Sequence, residues 1–120
     1  MFRAVAVLTA VICLALFGVL LTNGGQYVAT FAIAPDQGAD FVARRAAPVF
    51  VGLAVILWML RDLPVGTARD GICIGMIVLW LGIAVTGVFE FASGQAGAAI
   101  LIASAAEVLG ALAFWVARRR

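Results

Sequence analysis

GICIGMIVLWLGIAVTGVFEF, residues 71–91, decides the architecture. One residue in this stretch, Glu90, carries a charge, and the rest is apolar or small. At 1.5 Å per residue a helix of this length spans about 30 Å, the thickness of the hydrocarbon core of a bilayer. Soluble helices of such length alternate an apolar stripe with a polar face; this one has no polar face.

Three further stretches of the same kind surround it. AVAVLTAVICLALFGVLLT covers residues 4–22, FVARRAAPVFVGLAVILWML residues 41–60, and AAILIASAAEVLGALAFWVA residues 98–117. Hydrophobic residues make up 66% of the 120-residue chain, well above the roughly 45–50% of soluble domains. A chain this short cannot hide so much apolar surface in one core, so lipid must serve as part of its solvent. The sequence therefore predicts an all-α, four-helix transmembrane bundle forming a single integral membrane domain over residues 1–120. The first stretch exceeds the 7–15 apolar residues usual in a signal peptide, and the nearby Ala32-Ile33-Ala34 precedes Pro35, which favours a retained span.

The connections are unequal. Residues 23–40 form a long loop broken by Gly24, Gly25, Pro35 and Gly38, whose YVATFAI portion suits a short interfacial helix or an extended flap. Residues 61–70, RDLPVGTARD, are short and charged, and ASGQAG at 92–97 reads as a tight turn. Short connections impose antiparallel neighbours and an up-down-up-down order. Arg3, Arg61, Arg69, Arg118, Arg119 and Arg120 then fall on one side, with Arg44 and Arg45 on the other. The positive-inside rule places both termini in the cytoplasm. A formal charge of +2 is too small for nucleic-acid binding.

Several chemistries lack their residues. The chain has no His, which removes the usual haem ligand, zinc ligand and general base. Cys13 and Cys73 sit alone in apolar runs and read as small buried hydrophobes. No cofactor or metal site is expected, and an enzyme is the least supported class.

Glu107 is the residue that asks for an explanation. It lies about nine residues into the fourth span, roughly 14 Å deep, where a charged group costs about 2.5–3.5 kcal/mol on insertion scales. It should therefore face other helices. Ala103, Ser104, Gly110 and Ala111 share its face and allow close approach, and Gly71, Gly75, Gly82 and Thr86 form a similar row leading to Glu90 on span three. Arg44 and Arg45 lie about 7 Å below the outer end of span two. They are the natural partners, and Arg45 is the preferred inward member because Pro48 and Gly52 continue its row. The expectation is a buried polar cluster of Arg44 or Arg45 with Glu107, assisted by Glu90. It acts either as glue that fixes helix packing or as a site for a ligand or proton, and glue is favoured.

Four short spans, a long first loop, RRAAPVFVGL in span two and an acid in span four resemble small bacterial four-helix membrane proteins of the DoxX-like kind and an allied family of unknown function. The resemblance implies an all-α protein of the bacterial inner membrane. DoxX itself is associated with quinone-linked sulfur oxidation, and no residue here carries that activity over. Small multidrug-resistance transporters also have four spans and one membrane glutamate, but theirs lies in the first span, where this chain has no acid. Two functions lead. One is a structural or accessory membrane component, within a larger complex or a homo-oligomer. The other is a small transporter or channel using Glu107 and Glu90.

Overall fold

The computed structural model describes residues 1–119 and consists of four helices: α1 (Phe2–Ala29), α2 (Gln37–Met59), α3 (Thr67–Ala92) and α4 (Ala99–Arg119). Arg120, counted above among the charges of one side, lies outside the described residues. All four helices are long and apolar enough to cross a membrane. The long axis of the molecule is 44 Å, matching the roughly 40–45 Å of a bilayer with its headgroups. Large apolar side chains face outward along its length, including Ile102, Met59 and Val85 at 76%, 74% and 67% exposure. In water that surface would aggregate; in lipid it is the ordinary exterior.

The interior is built from small residues. Ala6, Ala10, Ala47, Ala54, Ala111 and Ala117 are buried with Cys13 and Cys73, while Phe114 and Leu57 are the bulkiest side chains that are fully enclosed. Lipid tails are as apolar as a leucine side chain, so helices gain by close backbone approach rather than by hiding hydrophobic area. On α2 the inward residues are Ala43, Ala47, Phe50, Ala54 and Leu57, and on α3 they are Arg69, Cys73, Met76, Trp80, Ala84 and Gly87. These 3–4 spacings are those of a left-handed helical seam.

The helices do not form a symmetric square. α1 packs along α2, α3 packs along α4, and the two hairpins meet through a sparser α1–α4 seam. The spatial order is thus α2–α1–α4–α3, in a body 27 Å by 17 Å across. Neither α2 nor α3 touches the hairpin opposite its own through backbone proximity.

The turns follow from local chemistry. α3 ends at Ser93-Gly94, where Gly94 takes φ 75°. The Gly94 N–H donates to the Phe91 carbonyl at 3.0 Å and the Gln95 N–H to the Glu90 carbonyl at 2.9 Å, a Schellman closure that needs glycine. α2 starts on Asp36, whose carboxylate accepts from the Ala39 N–H at 2.6 Å.

The first loop differs most from expectation. Helix α1 continues past Thr22 to Ala29 across a kink at Asn23 (φ −139°, ψ 42°). There the Thr22 hydroxyl donates to the Gly18 carbonyl at 2.7 Å, and such back-bonding bends helices. The kink interrupts the ladder, and the Gly25 N–H is taken up by Asp40 Oδ1 at 2.6 Å. Gly24 is required because a Cβ there would sit 2.5 Å from Ala43 Cβ. The YVATFAI stretch is thereby mostly helix and turn, ending where the Phe31 carbonyl accepts from the Gly97 N–H at 2.7 Å. That bond ties the tail of α1 to the start of α4.

Candidate functional site

Because α1 and α4 touch sparsely, a cavity of about 420 Å³ opens between them. Its walls are apolar side chains, Val5, Leu8, Ile12 and Leu16 from α1 and Ala103, Ala106 and Leu109 from α4. Four polar residues interrupt them: Thr9, Tyr27, Trp80 and Glu107. The kink at Asn23 precedes Tyr27 by one helical turn, and the Tyr27 ring is braced edge-on against Phe31 at 5.3 Å.

Two polar atoms of this wall are buried without a hydrogen-bond partner, Glu107 Oε2 and Trp80 Nε1. Trp80 reaches the cavity from α3 by lying across Gly110. A Cβ at position 110 would meet the indole at 3.2–3.3 Å, so the missing side chain makes room for the ring. A carboxylate oxygen accepts and an indole N–H donates. The wall of this cleft thus holds one acceptor and one donor among apolar side chains, and the cleft opens to the outer surface, where Leu8 and Leu109 of its lining are 62% and 66% exposed. Leaving such atoms unsatisfied costs about 1–3 kcal/mol each, and apolar cavities with few convergent polar groups are the usual form of small-molecule sites.

The structure does not bring the expected Arg–Glu cluster together. Arg44 and Arg45 are both exposed on α2, and Arg45 stacks its guanidinium 5.6 Å from the Phe41 ring. The inward positions of that turn are Ala43 and Ala47. Helix α1 packs against both α2 and α4, while α2 and α4 make no close backbone approach to each other. Glu90 lies at the far end of α3, where its backbone carbonyl closes the Schellman turn; it does not line the cavity. Among the described residues no ion pair includes Arg44, Arg45, Glu90 or Glu107.

The small-residue rows divide. Gly71, Gly75 and Gly82 have open space where a side chain would stand, and Thr86 is exposed with its hydroxyl donating to the Ile83 carbonyl at 2.8 Å. At about 100° per residue this row points roughly 150° away from the buried Cys73–Met76–Ala84–Gly87 row. The close approach on α3 is made by Gly87 instead, whose missing side chain accommodates Ser104 of α4. On α4, Ala103 lines the cavity and Gly110 supports Trp80.

Arg69, in the sequence one of the arginines that set topology, is a structural anchor. It is 6% exposed, donates through Nη2 to the Ala117 carbonyl in the last turn of α4, and lies 4.7 Å over the Phe2 ring. A cation at a helix C-terminus opposes the negative end of the macrodipole. The signal was present: position 69 is one heptad before Met76 and four residues before Cys73, on the buried row. Arg118 pairs with Asp70 at 3.1 Å beside it. Compared with known proteins, the chain matches no family model, no curated protein and no solved structure.

Proposed function

We propose that this chain is a multi-pass membrane protein that binds a lipophilic molecule carrying a cationic or hydrogen-bond-donating group in the α1–α4 cavity. The observation that carries this reading is that Glu107, whose Oε2 is buried and unpartnered, lines an apolar space of about 420 Å³. Glu107 receives the donor or cation of the ligand, and Trp80 donates to an acceptor on the same molecule. The role is binding or carriage rather than catalysis. The gathering of Arg3, Arg61, Arg69, Arg118 and Arg119 at one end supports a cytoplasmic placement of both termini in a bacterial inner membrane.

The test uses protein whose sole tryptophan is Trp80, made by Trp58→Phe and Trp115→Phe, in detergent micelles. Dodecylamine is titrated while Trp80 fluorescence is followed, with dodecane as the apolar control. A saturable change that weakens by roughly tenfold or more in Glu107→Gln is expected, since a hydrogen bond to a charged group is worth about 1.5–3 kcal/mol. Equal, unsaturable responses to both probes would end the reading.

A second reading, an accessory component of a larger complex, has one observation in its favour. The outward Gly71, Gly75 and Gly82 row leaves room for a further helix against α3. Cross-linking from cysteine placed at position 78, on that face, followed by isolation from native membranes, tests it; recovery of monomer alone rejects it.

A further inference from the structure

A second hollow, of about 220 Å³, lies at the arginine-rich end, away from the Glu107 cavity. Met1, Phe2 and Leu63 line it together with Arg3, Arg61, Asp62 and Arg69. Three guanidiniums face one carboxylate there, so the side chains alone leave a net positive charge. The single carboxylate is stretched between two of them: Asp62 Oδ1 is 3.4 Å from Arg3 Nη1, and Asp62 Oδ2 is 3.5 Å from Arg61 Nε. Neither is a close charge-assisted contact, which would fall near 2.7–2.9 Å.

The third guanidinium is the informative one. Arg69 is 6% exposed, and its Nε is buried with no hydrogen-bond partner although Nη2 is engaged by the Ala117 carbonyl. A buried cation with an unfilled donor, beside two under-neutralised arginines, is the arrangement an anion with several acceptor oxygens completes. The hollow has room for roughly seven water volumes at about 30 Å³ each, enough for a phosphate group with part of its hydration. Its depth is also defined: Arg61 stacks on Trp58 at 4.4 Å, and tryptophan–arginine belts mark the headgroup level of a membrane.

We infer that this basin binds the phosphate of an anionic phospholipid headgroup. Arg3 and Arg61 supply the charge that draws it in, and Arg69 supplies the fixed donor at the base. Leu63 leaves the glycerol side of the lipid against an apolar wall. This goes beyond the proposed ligand site at Glu107 and does not depend on it, because no lining residue is shared.

The experiment is native mass spectrometry of the full chain in detergent, titrated with phosphatidylglycerol, phosphatidylcholine or inorganic phosphate. Saturable binding of phosphatidylglycerol, in preference to phosphatidylcholine, is expected. Arg3→Gln combined with Arg61→Gln should weaken it about thirtyfold, from roughly a fivefold loss per interfacial arginine. Arg69 is left intact in that variant because it also holds α4. Asp62→Asn removes the competing carboxylate and should tighten binding. Equal binding of the two phospholipids overturns the inference, as does an unchanged affinity in the double variant. Displacement of phosphatidylglycerol by an equal concentration of inorganic phosphate would make this a free-anion site and overturn the lipid assignment.

Discussion

Replacing Glu107 by methionine should stabilise the ligand-free protein. Glu107 sits in the middle of α4 with one carboxylate oxygen buried and unpartnered, and no ion pair reaches it among the described residues. Leaving that oxygen unsatisfied costs about 1–3 kcal/mol. Methionine has nearly the same length, fills the same space, and removes the polar atoms. The expected gain is therefore about 1–3 kcal/mol, with Glu107→Gln near zero because an amide keeps unsatisfied groups. The opposite sign holds if Glu107 is the partner of a buried cation, since breaking such a pair costs about 3–5 kcal/mol. Unfolding of ligand-free protein in mixed micelles by increasing SDS, followed by helical circular dichroism, measures the difference. A methionine variant less stable than wild type by more than about 1 kcal/mol would refute the view that the carboxylate awaits a ligand. The same variant should lose the dodecylamine response, separating stability from binding at one position.

Gly87→Ala should destabilise the α3–α4 hairpin by about 1–2 kcal/mol, because the new methyl meets Ser104 Oγ and stands 3.3 Å from Ile100 Cγ1. In a Ser104→Ala background much of that loss should vanish, since Ser104 Cβ lies an ordinary 3.8 Å away; additive losses in the same SDS titration would contradict the contact. Asp40→Ala should cost about 1.5–3 kcal/mol by orphaning the Gly25 N–H, and hydrogen exchange of residues 24–29 should accelerate while α3 is unchanged. Arg69→Leu should loosen the end of α4, removing the bond to Ala117 and the stacking on Phe2. Cysteine-labelling rates at position 116 should rise in that variant, whereas Arg119→Leu should leave them as they are.

The four spans were legible in the sequence because length and apolar content are local properties, although α1 runs on to Ala29 and α2 and α3 begin at Gln37 and Thr67, ahead of the expected positions. Ser93-Gly94 ends α3 and Asp36 starts α2 by chemistry contained in a few adjacent residues. Glu107 was legible as a residue that must face other helices, because its depth follows from counting along α4. The kink at Asn23 was less so: Thr22-Asn23-Gly24-Gly25 reads as a helix end, whereas the helix resumes beyond it with Asp40, on another element, accepting the Gly25 N–H.

The face of α4 that carries Glu107 was legible, but which face of α2 and of α3 turns inward was decided by tertiary structure. In water an apolar stripe marks the buried side, but here α3 is apolar all round and carries small residues on two opposite faces. Gly71, Gly75 and Gly82 formed the more regular row, yet Cys73, Met76, Ala84 and Gly87 make the contact. The partner of each helix was equally silent, because packing in lipid is chosen by shape and not by hydrophobicity. In the order α2–α1–α4–α3 the arginines sit on α2 and Glu107 on α4, two helices that make no close backbone approach to each other. Sequence alone thus identified a membrane carboxylate and the charges available to it; the arrangement of the helices kept them apart and left Glu107 lining a cavity.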